Sequence, residues 1–184
     1  MEKRDYFDVL GVARAYHLDA SDLEKRYLAL SQALHPDKHA RSSPTERLQS
    51  LEQTTALNDA YRTLKSDSRR AHYLLGLEGV DISDDKSPSR VSVDQGLLLD
   101  ILELREALEE ARASQNEKQI KMLTADVDGR RERALLRVDS GFFSYEKGDR
   151  SSLRSVAESL IELRYYDRFL DAVTEHEIAK EELV

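Results

Sequence analysis

Between Gly11 and Gly76 the chain contains no glycine, and its apolar side chains recur there at helical spacing. Leu23, Tyr27, Leu30 and Leu34 step by four, three and four, which places them on one face of a helix. Asp19 or Ser21 offers a side-chain acceptor for the free amides of its first turn. Pro36 ends it, because the residue before a proline is pushed out of helical angles. A second pattern runs through Leu48, Leu51, Thr55, Leu57, Asn58, Tyr61 and Leu64. Its entry is Ser42-Ser43-Pro44-Thr45-Glu46, where Pro44 sits near the first turn and its missing N–H costs little. Short amphipathic segments flank this pair, Tyr6 to Leu10 before it and Ser68 to Leu75 after it.

Gly76 to Val93 is rich in Gly, Asp, Ser and Pro and lacks sustained periodicity, so it reads as a linker. From Asp94 onward three further helical patterns follow. Leu97, Ile101, Leu104 and Leu108 mark the first. Ile120, Leu123, Val127, Arg131, Leu135, Val138 and Phe142 mark the second, with Arg131 its one polar member. Leu153, Val156, Leu160, Leu163 and Leu170 mark the third. Breaks fall near Ser114-Gln115-Asn116 and Gly148-Asp149. The spacing predicts an all-α chain: a helical hairpin with short flanking helices over residues 1–75, a linker over 76–93, and an antiparallel three-helix bundle over 94–184.

Composition narrows the chemistry. The 184 residues include no cysteine, which excludes disulfides, cysteine metal sites and cysteine catalysis. Seven glycines and three prolines are too few for a long all-β chain. Net charge is −8, unevenly divided: residues 1–75 hold 12 basic and 11 acidic side chains, residues 76–184 hold 16 and 25. An acidic second half argues against a nucleic-acid surface. No apolar run approaches the length of a membrane span, and Met1-Glu2-Lys3-Arg4-Asp5 leads into no signal-peptide core, so a cytoplasmic protein with no membrane partner is expected.

One short motif carries chemistry. Leu34-His35-Pro36-Asp37-Lys38 lies between the two long N-terminal patterns. Proline fixes its own φ and removes a donor, so this turn would present an imidazole and a carboxylate rigidly. Taken alone, His35 and Asp37 could equally be turn and capping residues. A metal site on His35 and His39 fails, because Pro36 stops the helix that would hold both on one face. No serine lies in a strand-to-helix elbow, so a Ser–His–Asp triad is unsupported. The context is more specific: Asp5-Tyr6-Phe7-Asp8-Val9-Leu10-Gly11-Val12 precedes the first helix, and Leu57-Asn58-Asp59-Ala60-Tyr61-Arg62-Thr63-Leu64 lies in the second. The first 75 or so residues resemble a J domain, the part of DnaJ-type co-chaperones that activates DnaK-type ATPases. The resemblance implies that His35, Pro36, Asp37 and Lys38, with Lys25 and Arg26 on the preceding helix, meet the chaperone. J domains usually carry more basic residues on that helix, whereas Leu28-Ala29-Leu30-Ser31-Gln32-Ala33 has none. Chaperone binding should therefore depend on ionic strength less than for a typical J domain.

The first C-terminal helix has a second apolar face. With Leu97 at 0° and a step of about 100° per residue, Ile101, Leu104 and Leu108 lie within about 40° of it. Leu98, Leu102 and Leu99 lie near about 100°, 140° and 200°, bordered by Glu106, Glu110 and Glu103. Tyr165 and Phe169 likewise fall off the stripe of the last helix. Such leucines either pack on the N-terminal half or the linker, or form an exposed protein-binding patch with an acidic rim. The stretch from Leu97 to Glu110, Glu162-Leu163-Arg164-Tyr165-Tyr166-Asp167-Arg168, and Arg69-Arg70-Ala71-His72-Tyr73-Leu74-Leu75 resemble the HscB family, J-proteins of iron–sulfur cluster biogenesis. By position, Leu98, Leu99, Leu102, Glu103, Glu106, Glu110 and Tyr165 match that family's contact surface for an IscU-like scaffold protein. The resemblance implies a two-site adaptor that is not an enzyme. It would hold the scaffold on its bundle, present it to an HscA-like chaperone and stimulate that chaperone's ATPase, with no cofactor and no metal of its own. The rival reading is a generic J-protein that recruits other clients, or self-associates, through an acidic bundle.

Overall fold

The computed structural model describes residues 4–34, 43–82 and 91–181. Seven helices and no strand form among the described residues: α1 Tyr6–Leu10, α2 Ala20–Ala33, α3 Pro44–Lys65, α4 Asp67–Leu77, α5 Gln95–Ala113, α6 Glu117–Glu146 and α7 Ser152–Glu181. The starts of α1 to α6 follow from a side chain that accepts a free amide of the first turn. Asp5 caps α1 in a reciprocal box with Asp8, and Asp19 caps α2. Ser43 caps α3 in a box with Glu46, with Pro44 in the first turn. Ser66 caps α4, Asp94 caps α5 and Asn116 caps α6. Gly11 stops α1 at φ 64°, a left-handed conformation that a side chain would strain.

The chain divides into two compact units, Met1–Glu78 and Gly79–Val184. In the first, Phe7, Leu10, Leu23, Leu57, Ala60, Leu64, Ala71, Leu74 and Leu75 form the core. The later turns of α3 are buried as the periodicity predicts. Leu48 and Leu51 are not: they are 56% and 59% exposed, and Thr55 is exposed too. At about 100° per residue, Leu48, Leu51 and Thr55 lie on the side of α3 opposite Leu57, Ala60 and Leu64, and the buried face continues toward the N-terminus through Ser50.

In the second unit α6 and α7 run antiparallel. Arg131 meets Asp167, Arg137 meets Ser159 and Glu162, and Gly141 lies against Val156, so the pairing order reverses along the two helices. Arg112 near the end of α5 donates to the Ala172 carbonyl of α7 at 2.8 Å. Two expectations are corrected here. On α6 the buried residues are Ile120, Val127, Ala134, Val138 and Phe142, while Leu135 is exposed and Arg131 is ion-paired to Asp167 at 2.6 Å. Stepping by four twice, from Val127 through Arg131 to Leu135, drifts about 80° off the face, whereas the seven-residue step from Val127 to Ala134 stays on it. On α7, Phe169 is in the core at 1% exposure. The buried arc of α7 is wider than a single stripe, since Ile161, Tyr166 and Val173 are buried as well.

Candidate functional site

In the first unit the expected chaperone-facing residues divide in two. His35, Pro36, Asp37 and Lys38 lie outside the described residues. Lys25 and Arg26 are exposed on α2. Arg26 is engaged within its own unit: Nε donates to Asp22 at 2.7 Å and a terminal nitrogen donates to the Gly11 carbonyl at 2.7 Å.

What fixes the two long helices around that segment is visible. Tyr27 and Tyr61 stack with ring centroids 4.0 Å apart, and the Tyr27 hydroxyl donates to Asn58 Oδ1 at 3.0 Å. At the end of α2, buried Ser50 on α3 donates its hydroxyl to the Leu34 carbonyl at 3.2 Å, satisfying a carbonyl the helix leaves free. Thr54 donates to the Ser50 carbonyl one turn on, at 2.8 Å. Sequence reasoning missed Ser50 and Thr54. Their only signal is a pair of small hydroxyls, four apart, facing the helix that precedes the turn.

Further support comes from two buried charges. Arg70, 7% exposed, donates to the carbonyls of Leu64 and Tyr16 and pairs with Asp67. Asp5 pairs with Arg14. Burial pushes the Asp5 carboxyl up, but the Asp8 amide and the Arg14 guanidinium outweigh it and hold the group below the ordinary carboxylate range.

In the second unit α5 shows two faces. Ile101, Leu104, Leu108 and Ala111 are buried. Leu98, Leu99 and Leu102 are 43%, 61% and 53% exposed, and Glu103, Glu106 and Glu110 are exposed beside them. Six of the seven expected scaffold-contact residues thus share one open helix face. Tyr165 is half-buried on α7, with the Arg164 guanidinium 6.0 Å from its ring centre, between core residues Leu163 and Tyr166.

Several carboxylates of the bundle are neutralised locally: Asp100 by Arg130 at 3.6 Å, Glu109 by Arg112 at 2.7 Å, Glu158 by Arg154 at 3.2 Å, and Glu162 by Arg137. Among the described residues no ion pair or hydrogen bond holds the carboxylates of Glu103, Glu106 or Glu110. They stand three and four residues apart on one helix, a like-charge spacing that costs about 0.2–0.5 kcal/mol per pair. A cationic partner would relieve that repulsion while the leucines gave up water. A cleft in the same unit is different in kind. It has a volume of about 620 Å³, lies between the start of α5 and α7, and is lined by Leu97, Asp100, Glu158 and Glu162, whose carboxylates are the paired ones.

Comparison with known proteins follows the same division. A DnaJ domain family model matches residues 5–73, and a model described as the HSCB C-terminal oligomerisation domain matches residues 93–174. A co-chaperone protein HscB homolog of Neisseria meningitidis serogroup A / serotype 4A is 30% identical over 169 residues, covering 92% of this chain and 96% of the relative. A co-chaperone protein HscB homolog of Shewanella sp. (strain ANA-3) is 38% identical over 110 residues, 60% of this chain; the chain spans 62% of that relative's length. The solved structure of chaperone HscB from Vibrio cholerae superposes with a TM-score of 0.70 at 27% identity, covering 98% of this chain and 100% of that one.

Proposed function

Because the chain belongs to the HscB co-chaperone family, with a J domain at its N-terminus, we propose that it binds an IscU-like iron–sulfur scaffold protein and delivers it to an HscA-like DnaK-type chaperone. The observation that carries this reading is the open face of α5. Leu98, Leu99 and Leu102 supply an apolar centre, and Glu103, Glu106 and Glu110 supply an acidic rim with no cation of its own. Tyr165 extends the contact from α7. The partner's matching surface is then apolar with a basic border.

His35, Pro36, Asp37 and Lys38, with Lys25 on α2, meet the chaperone and stimulate its ATP hydrolysis. Arg26, already bound to Asp22 and Gly11, shapes that surface more than it pairs across it. The chain itself hydrolyses nothing. Holding the scaffold beside the chaperone raises its effective concentration there. No helix of the described residues is long and apolar enough to cross a membrane.

The test is the chaperone's steady-state ATPase rate with the full chain, with and without scaffold. His35→Gln or Asp37→Asn is expected to abolish stimulation with the melting temperature unchanged. Full stimulation by a folded His35→Gln protein would overturn the J-domain half of the proposal.

A second reading is self-association of the bundle. The description of the C-terminal family as an oligomerisation domain supports it, and a specific observation favours it: Met122, Leu136 and Phe143 are exposed apolar side chains on the side of α6 opposite its buried Ile120, Val127 and Ala134.

A further inference from the structure

The core side of α6 repeats every seven residues, at Ile120, Val127, Ala134 and Gly141. A second repeat of seven runs two residues out of phase, at Met122, Gly129, Leu136 and Phe143. Two residues turn a helix by about 200°, so this second row lies opposite the core. It is open: Met122 is 58% exposed, Leu136 69% and Phe143 53%. A solvated helix face needs no such row, and an apolar stripe at heptad spacing on an outward face is what a second helix covers.

We propose that a second copy of this chain covers it, with the two α6 helices antiparallel about a two-fold axis between Glu132 and Arg133. The proposal rests on the self-association reading and adds its face and register. The row is self-complementary in that arrangement and in no parallel one. Antiparallel, Met122 meets Phe143 of the copy, a sulfur–aromatic contact. Leu136 meets Gly129, and the Arg133 guanidinium, which lies 3.5 Å from where a Cβ of Gly129 would stand, turns to Glu132 of the copy at the axis, twice by symmetry. Parallel pairing would set Glu132 on Glu132, Arg133 on Arg133 and one glycine on the other.

The margins oppose the contact. Lys118 approaches Lys147 of the copy, and Asp126 approaches Asp139. Asp126 is already held by Arg130 at 3.0 Å, and Lys147 lies over the Phe143 ring at 3.9 Å. A single row of side chains with unfavourable ends makes a weak dimer, and screening those ends with salt strengthens it.

Two measurements on the full chain test the two levels separately. Sedimentation velocity from micromolar to near-millimolar concentration should show a monomer–dimer equilibrium that tightens with added salt. Leu136→Glu should abolish it with unchanged circular dichroism and melting temperature. A monomer throughout, or a dimer that survives Leu136→Glu, overturns self-association through this face.

The register is tested by crosslinking, for which the cysteine-free chain is suited. Ala125 of one copy faces Ser140 of the other, whereas position 125 lies about 22 Å from its own copy, fifteen residues along the helix. A mixture of Ala125→Cys and Ser140→Cys proteins should give a heterodimer with a short bis-maleimide, and neither variant alone should crosslink. Crosslinking of either variant alone, or failure of the mixture where a dimer sediments, overturns the antiparallel register while leaving self-association standing.

Discussion

Both units have apolar cores, but among the described residues the buried charged side chains, Asp5 and Arg70, belong to the N-terminal unit, while the ion-paired residues of the C-terminal unit stay at least partly exposed. Asp5 and Arg70 are both under a tenth exposed, and each is satisfied by partners from other turns or helices. In the bundle, Arg131–Asp167 and Arg137–Glu162 link α6 to α7 with side chains roughly a quarter to a half exposed. Such surface pairs are worth about 0–1 kcal/mol, so they register the helices more than they stabilise them. Those buried charges lie where α1, α3 and α4 meet, at the far end of the α2–α3 pair from the Ser50–Leu34 contact.

The contrast is broken most severely at Arg70. Arg70→Leu leaves the Leu64 and Tyr16 carbonyls without their charged donor and should cost the first unit about 3 kcal/mol. Amide hydrogen exchange should show the loss in α3 and α4 and not in α6 and α7. An equal loss in both units would refute the division. The corresponding apolar test in the bundle is Ile101→Ala, expected to cost roughly 2–5 kcal/mol by creating a cavity.

A smaller effect with an informative sign is expected at Gly141. A Cβ there would overlap Val156 Cγ2 on α7. Overpacking costs about 1–3 kcal/mol, and the helix propensity gained from alanine returns about 1 kcal/mol. Gly141→Ala should therefore lower the melting temperature in the native background. In a Val156→Ala background the same substitution should raise it. Two lowerings would show that the close approach of α6 to α7 is not what excludes a side chain.

Acid sharpens the comparison further. The Asp5 carboxyl is held below its ordinary value in the folded unit, so its contribution is fully present above an unfolded pKa of about 4 and is lost as pH falls through the depressed folded value. The first unit's exchange protection should weaken below about pH 4, and Asp5→Asn should flatten that dependence. A dependence unchanged in Asp5→Asn would assign the acid sensitivity to other carboxylates.

Much of this architecture is legible from spacing because apolar stripes are the physical cause of the bundle. The α5 stripe reads correctly over Ile101, Leu104 and Leu108, and the same wheel exposes the leucines on its far side. The stripe fails where a helix of 30 residues is read in unequal steps, which put Leu135 in the core in place of Ala134, and where the buried arc is wider than a single stripe, which left Phe169 outside it. The polar fastenings are less legible. A buried arginine such as Arg70 looks like any surface arginine until its carbonyl partners, distant in sequence, are brought to it. The isolation of Glu103, Glu106 and Glu110 is half legible: no basic residue stands three or four places from any of them, but only the fold shows that no neighbouring helix supplies one.

The most direct test of the proposed role is the affinity of an IscU-like scaffold, by titration calorimetry, for the protein carrying Leu98→Ala, Leu99→Ala and Leu102→Ala together. These side chains lie off the core face, so the melting temperature should change little. Affinity should fall by roughly a factor of ten or more, because a few residues at the centre of an interface dominate its energy. An unaltered melting temperature with unaltered affinity would contradict the assignment of this face to the scaffold.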